Sequence, residues 1–411
     1  MAFRAAPPST DIRAASEQGI GGQVVLFTAA RTLINTAYRM VYPFLSVFAR
    51  GLGVDLLTIS LVMTARSAMG FLGPFLAPIA DLRGRKISML LGLSMVVVSS
   101  ILITLFPIYP VFFAGLLGIA LGNLVFIPAM QAYVSDLVPY ERRGRVIGVT
   151  ELNWSLAFII GVPLVGWLIN ALTQNAATSE FAWRAPFPFI AAFGLFFMIL
   201  IAIRIPNNRS QSAALGSGIQ TIQLILRNPV VLAGLGFALA TSAANETVNL
   251  IFGVWLEDQY GLKLAALGAA SAVIGISELS GEGLSAYLTD RWGKENSIKA
   301  GLFISITATV LLYFVSSSGV PAALVGLFLF YLGFEFTIVS SLPLMSEVFP
   351  PARATVMASV VACFSIGRAV GALLAPRLYR HDFLWNLGFA LLFNAIAFIL
   401  LRRLERRKDA G

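Results

Sequence analysis

Nine charged side chains fall inside stretches that are otherwise apolar: Arg31, Arg39, Arg66, Glu151, Glu246, Glu278, Glu282, Glu335 and Arg368. A charge at the centre of a hydrocarbon layer costs roughly 2.5–3.5 kcal/mol or more unless it is paired or wetted. A chain does not accumulate so many costs for packing alone, although structural ion pairs account for some of them. Arg31, Asn35 and Arg39 recur at four-residue spacing, which sets them on one stripe of a helix. Thr241, Asn245 and Asn249 form a matching stripe with Glu246 beside it. Glu278 and Glu282 make a carboxylate pair at i, i+4, and two like charges on one face in a low dielectric cannot both ionise cheaply. A carboxyl that gains and loses a proton is what proton coupling requires. The competing reading pairs these glutamates with Arg66 or Arg368. Glu151, near the end of its apolar run, reads as structural.

The elements that carry these residues must be membrane helices. The chain has 411 residues, 58% of them hydrophobic and 12% charged, against about 25% charged in a soluble domain. Its apolar runs are about 20 residues or longer, enough to cross a bilayer as helices, and they neither alternate nor stop at strand length. The fold class is therefore an all-α polytopic membrane protein. About twelve spans are expected, near 22–49, 56–80, 87–106, 110–135, 146–171, 185–204, 229–255, 264–288, 298–317, 321–346, 355–378 and 383–402. Basic residues collect on alternate sides (Arg83, Arg85 and Lys86; Arg142, Arg143 and Arg145; Arg402, Arg403, Arg406 and Arg407), which places both termini in the cytoplasm by the positive-inside rule. The same reading explains the formal charge of +9 without nucleic acid. The first 18 residues lack the apolar core of an export signal. With one cysteine (Cys363) and one histidine (His381), no internal disulfide and no histidine-built metal site is expected. No phosphate loop or Ser/His/Asp set is present, so neither an enzyme nor a cofactor is expected, and ATP is not the energy source.

The chain repeats itself. Asn35-Thr36-x-x-Arg39 aligns with Asn245-Glu246-x-x-Asn249, and Gly51-Leu52 with Gly261-Leu262. Ser135-Asp136-Leu-Val-Pro139 returns as Ser346-Glu347-Val-Phe-Pro350. Two six-helix halves, 1–206 and 229–411, are expected on either side of a polar cytoplasmic linker at 207–228. Internal symmetry of this kind marks transporters that bind between two rocking halves. A polar turn, Asp81-Leu82-Arg83-Gly84-Arg85-Lys86, joins the second and third spans, and Ala286-Tyr-Leu-Thr-Asp290-Arg291-Trp292-Gly293-Lys294 repeats it in the second half.

These two turns resemble the signature loop of the major facilitator superfamily of secondary transporters, Gly-x-x-x-Asp-Arg-x-Gly-Arg-Arg/Lys. Asp81, Gly84, Arg85 and Lys86 match it. Ala77 replaces the leading glycine, and Leu82 stands where the first arginine belongs. Trp183-Arg184-Ala185-Pro186-Phe187 is also similar to the family, so the resemblance covers nearly the whole chain. It implies that spans one, four, seven and ten line a central cavity. The substrate contacts it implies are Arg31, Asn35, Arg39, Asn123, Gln131, Asn245, Asn249 and Glu335, with Tyr331 nearby; buried inter-helix hydrogen bonding is the bland alternative. Glu246, Glu278 and Glu282 are the proton-coupling candidates. A gating set comprises Asp81, Gly84, Arg85, Lys86, Asp136, Asp290, Arg291, Gly293, Lys294 and Glu347. Within it, Asp81 is expected to cap the eleventh span near Ala354 and Asp290 to face the fifth. Arg85 is expected to pair with Asp136 and Lys294 with Glu347, as a latch that holds only while the cytoplasmic side is closed.

On the fifth span, Gly161-Val162-Pro163-Leu164-Val165-Gly166 resembles the Gly-Pro motif of the drug:proton antiporter branch, with Val162 and Trp167 departing from it. A kinked helix with small packing residues explains the same letters. The function implied is secondary active transport of a small organic solute by alternating access, coupled to protons and favouring export, by a monomer in the inner membrane. Two alternatives stand beside it: a facilitator or proton symporter importing an anionic metabolite clamped by Arg31 and Arg39, and a membrane scaffold or sensor that moves nothing.

Overall fold

The computed structural model describes residues 10–76, 84–138, 146, 148–206, 225, 227–315 and 318–408. Asp81 and nearly all of the expected linker lie outside them. The described residues are helical, with no strand. In the first half, α1 (Thr10–Arg39) breaks at residues 40–44 and resumes as α2 (Leu45–Leu52). There follow α3 (Leu56–Ala68), α4 (Arg85–Leu105), α5 (Tyr109–Leu137), α6 (Gly148–Thr173) and α7 (Pro186–Arg204). The second half repeats the break: α8 (Pro229–Asn249) is followed by α9 (Phe252–Tyr260). Then come α10 (Leu264–Trp292), α11 (Lys294–Val315), α12 (Val320–Glu347), α13 (Arg353–Tyr379) and α14 (Phe383–Lys408).

Ten of the described helices are long and apolar enough to cross a membrane, and a bent pair built on α2 and α3, folded by 116°, raises the figure to eleven. The remaining expected span is α1, whose Arg31, Asn35 and Arg39 make it too polar to qualify on composition. Helix starts follow local chemistry. Pro110, Pro186, Pro229 and Pro321 sit in first turns, where the missing N–H costs nothing. Asp55 caps α3 through Thr58 N at 2.8 Å, and Asn228 caps α8 through Val230 N at 2.9 Å.

The two halves match in backbone detail. α2 and α9 both end on a left-handed glycine, Gly53 (φ 65°) and Gly261 (φ 64°). Sequence alignment pairs Gly261 with Gly51; the structure shifts the match to Gly53, because only that glycine carries the left-handed cap, while Gly51 lies inside α2 against Trp183. Gly84 (φ 91°) and Gly293 (φ 83°) open α4 and α11 in the same conformation. Two glycine pairs bring neighbouring helices together. A Cβ on Gly92 of α4 would lie 2.6 Å from the Gly122 carbonyl of α5, and one on Gly333 of α12 would lie 2.9 Å from the Gly301 carbonyl of α11.

Between the halves, α6 packs on α10 and α3 on α13. At the end of the bundle that carries α2 and α9, here the elbow end, the seam is closed by backbone contact. A Cβ on Gly253 would stand 2.5 Å from both Cα and O of Pro43, and one on Gly268 would stand 3.1 Å from Pro163 Cα. At the opposite end, where Arg85 and Lys294 lie, Gly148 of α6 and Gly283 of α10 have no described atom within 4 Å of their Cβ positions.

Candidate functional site

The Arg31–Asn35–Arg39 stripe faces α6. The Arg31 guanidinium donates to both Glu151 carboxylate oxygens, at 2.7 and 3.1 Å, and to the Thr150 carbonyl at 3.2 Å. Gln131 of α5 donates to Glu151 Oε1 at 3.0 Å. The Asn35 amide donates to the Asn153 side chain, which in turn donates to the Thr150 carbonyl. One turn on, Arg39 donates to the Trp154 carbonyl at 3.0 Å, and its guanidinium stacks 3.6 Å from the Phe158 ring centre and 4.3 Å from that of Trp154. α6 takes a π-helical turn at Ala157–Gly161, and Gly161 lets the Thr36 side chain of α1 approach. The proline and glycines of the fifth span thus serve close packing.

Arg39 also reaches across the seam. Its two terminal nitrogens donate to Glu278 of α10 at 2.7 and 2.5 Å, a bidentate pair with both side chains 4% exposed. Neither Arg66 nor Arg368 takes Glu278, as one reading of the sequence had it. A second polar chain crosses the seam nearby: the Tyr42 hydroxyl donates to Glu246 Oε1 at 3.0 Å, Asn249 donates to Glu246 Oε2 at 3.1 Å, and the Tyr331 hydroxyl donates to Asn249 Oδ1 at 2.9 Å. Glu246 is buried without an ion-pair partner among the described residues. Gly371 of α13 lets α8 approach at Glu246, and Gly281 of α10 lets α12 approach at Glu335. Glu282 and Glu335 are half-buried. The Asn245 amide is buried with no acceptor among the described residues.

Beside these networks lies a cavity of about 150 Å³, lined by Tyr38, Arg66, Asn123, Trp154 and Arg368 among others. It joins α1, α3, α5 and α6 of the first half to α13 of the second. Of the sequence-expected substrate contacts, only Asn123 lines it. A larger cavity of about 410 Å³ opens at the elbow end between Trp255, Asp258, Tyr379 and Asp382. All of its walls come from the second half, and Tyr379 already donates to Asp258 at 2.8 Å.

The two expected pairs of the signature loops form: Arg85 to Asp136 at 3.4 Å and Lys294 to Glu347 at 2.5 Å. Each lies inside one half, between the start of one helix and the end of the next. They brace a half; a latch between halves needs groups on both sides of the seam. Lys86 donates to the Ala202 carbonyl at 2.7 Å, Arg291 stacks 3.9 Å from the Tyr287 ring, and Asp290 is exposed. Sequence reasoning missed Tyr38, Tyr42, Asn153 and Trp154. The run Thr150-Glu151-x-Asn153-Trp154, polar within an apolar span, was the available signal.

Two related six-helix halves, a charged seam and paired signature loops define a secondary transporter. The family model of the Major Facilitator Superfamily matches residues 27–371, and the chain belongs to that superfamily. It is 23% identical over 399 residues to a probable sugar efflux transporter of Pasteurella multocida, covering 94% of each chain. It is 26% identical over 374 residues to the gentisate transporter of Corynebacterium glutamicum, covering 84% of this chain and 78% of that one. Among solved structures, a bacterial homologue of the human lysosomal transporter Spinster, inward-facing and unoccupied, superposes with a TM-score of 0.76 at 15% identity, over 97% of this chain and 98% of that one. The chain is an integral membrane transporter of small molecules and not an enzyme.

Proposed function

We propose that this protein moves a small organic solute by alternating access, driven by protons, in the direction of export. The observation that carries the reading is the buried Arg39–Glu278 pair, which ties α1 of one half to α10 of the other. Losing the charge of Glu278 would weaken this tie between the halves. Breaking one partner of a buried pair typically costs about 3–5 kcal/mol, enough to bias a two-state equilibrium strongly. Glu246, held across the seam by Tyr42, and half-buried Glu282 extend the proton-sensitive set. The halves 1–206 and 229–411 rock as units about this seam, linked through 207–228, with both termini in the cytoplasm and the protein working as a monomer.

The backbone contacts that close the elbow end support a form sealed on that side under that topology. Export is supported by the sugar-efflux relative. Import of an anion clamped by Arg31 and Arg39 is less well supported, since both arginines already hold carboxylates. Proteoliposomes loaded with a candidate solute and given a proton gradient test the proposal. Uphill movement opposite to the proton flow is expected, and Glu278→Gln should abolish it while leaving solute exchange. Transport indifferent to the gradient would overturn proton coupling.

A further inference from the structure

The cavity between α3, α5 and α13 presents cationic donors without acceptors among the described residues. Arg66 is 2% exposed and gives one hydrogen bond, from Nη1 to the Tyr38 carbonyl. Its Nε and Nη2 are buried with no acceptor among the described residues. The Arg66 guanidinium lies 3.7 Å from the Tyr38 ring centre and 5.2 Å from that of Tyr42, so it is braced in one orientation. Arg368 enters from the other half, 5.6 Å from the Trp154 ring centre, and has no ion-pair partner among the described residues. Arg31 and Arg39, by contrast, each pair with a carboxylate within hydrogen-bond distance, and of their nitrogens Arg31 Nε alone is buried without an acceptor among the described residues.

Buried guanidinium donors without acceptors cost free energy that a neutral side chain would avoid. The geometry that answers them is a planar anion with two oxygens, since a carboxylate accepts bidentately from a guanidinium fork. A hydroxyl or amide on the same solute would meet Asn123, whose Oδ1 also lacks a donor among the described residues. The walls formed by Tyr38 and Trp154 suit a flat or short apolar body. At about 150 Å³ the cavity is smaller than the ~300–1,000 Å³ of most small-molecule pockets. Its size suits the anionic end of a solute more than a whole one. Glu246 is the charged side chain that approaches from α8; it is engaged by Tyr42 and Asn249 and forms no ion pair with either arginine.

We propose that Arg66 and Arg368, one from each half, jointly bind the carboxylate of an organic anion in this cavity, with Asn123 contacting a polar group of the same solute. The inference rests on the transporter reading and names its substrate class. Because the two arginines belong to different halves, the anion bridges the seam at a place other than the Arg39–Glu278 pair.

Purified protein in phosphatidylcholine nanodiscs is titrated with acetate, benzoate and gentisate, each against its neutral amide or alcohol analogue, and the melting midpoint is followed. At least one carboxylate should raise the midpoint in a saturable way while its neutral analogue does not. Arg368→Gln and Asn123→Ala should each weaken half-saturation, the former at least tenfold. Arg66→Lys should fall between Arg368→Gln and wild type, because a point charge replaces the fork. Arg368 makes no hydrogen bond among the described residues, so its variant remains informative if Arg66 variants fold poorly. No response to any of the three carboxylates, or an unchanged response in Arg368→Gln, overturns the proposal. So does abolition of the response when phosphatidylglycerol is added, which would assign the arginines to a lipid headgroup. Binding is read without a gradient. Carboxylate binding without gradient-driven transport would therefore refute coupling alone, and gradient-driven transport unaffected by Arg368→Gln would refute this site alone.

Discussion

Replacing Glu278 by glutamine tests the seam most directly. The substitution keeps the shape of the side chain and removes its charge. In the native arrangement two hydrogen bonds of 2.7 and 2.5 Å join Arg39 to Glu278 with both side chains 4% exposed. Removing the charge from one side of such a pair costs about 3–5 kcal/mol. Arg39 keeps the Trp154 carbonyl and the rings of Phe158 and Trp154 in either form, and the glutamine oxygen still accepts one hydrogen bond from its guanidinium, which offsets about 1–2 kcal/mol of that. A net loss of about 2–3 kcal/mol then falls on one interface. At 1.4 kcal/mol per tenfold change, the joined form loses roughly 30- to 100-fold in population against the form with the elbow end parted. Leu250, fully buried between α8 and α9, reports that opening when converted to cysteine in a Cys363→Ser background. Its maleimide labelling rate should rise by the same factor in Glu278→Gln. The double replacement Arg39→Met with Glu278→Leu should restore a rate near the parent, because an apolar pair carries no unpaired charge. A labelling rate in Glu278→Gln within threefold of the parent would refute the claim that this pair ties the halves.

Other consequences are smaller or more local. Gly253→Ala places a methyl 2.5 Å from Pro43 backbone atoms, so α9 must separate from the 40–44 break and labelling at position 250 should rise even with the Arg39–Glu278 pair intact. Glu347→Gln should barely move the melting midpoint, because Lys294 and Glu347 are 27% and 46% exposed and such pairs contribute about 0–1 kcal/mol. Asp55 at the start of α3 has its carboxyl held below the ordinary value by its hydrogen bonds from Thr58 and by Arg380. Its stabilising effect is complete above the unfolded-state value and fades as pH falls through the lower folded-state value, so acid melting below about pH 4 should lose this component in Asp55→Asn.

Much of the architecture is legible in the letters, since span length, basic flanks and the doubled loop are properties of single helices or of the whole chain. The partner of each buried arginine is not. Arg31 and Arg39 lie on one stripe, yet one meets Glu151 in its own half and the other meets Glu278 in the opposite half. That outcome depends on how α6 and α10 rotate against α1, which the π-helical turn at Ala157–Gly161 and the packing at Gly268 and Gly275 decide. Arg66 and Arg368 read from the sequence as partners for glutamates; three-dimensional placement leaves them facing a cavity. The loop pairs were legible because Arg85 and Asp136, like Lys294 and Glu347, sit at facing ends of adjacent helices. Their confinement to one half was equally legible, since Arg85 and Asp136 both fall in 1–206 and Lys294 and Glu347 both fall in 229–411; the latch role expected of them overlooked it.

The intramembrane charges are unequally shared: the amino-terminal bundle carries Arg31, Arg39 and Arg66 against Glu151, and the carboxy-terminal one carries Glu246, Glu278, Glu282 and Glu335 against Arg368. Each bundle alone therefore exposes a face of one dominant sign to the bilayer interior. Two separately expressed fragments should attract one another inside the lipid and recombine into a working carrier, the opposing charges acting as an address that a homodimer of either fragment could not satisfy.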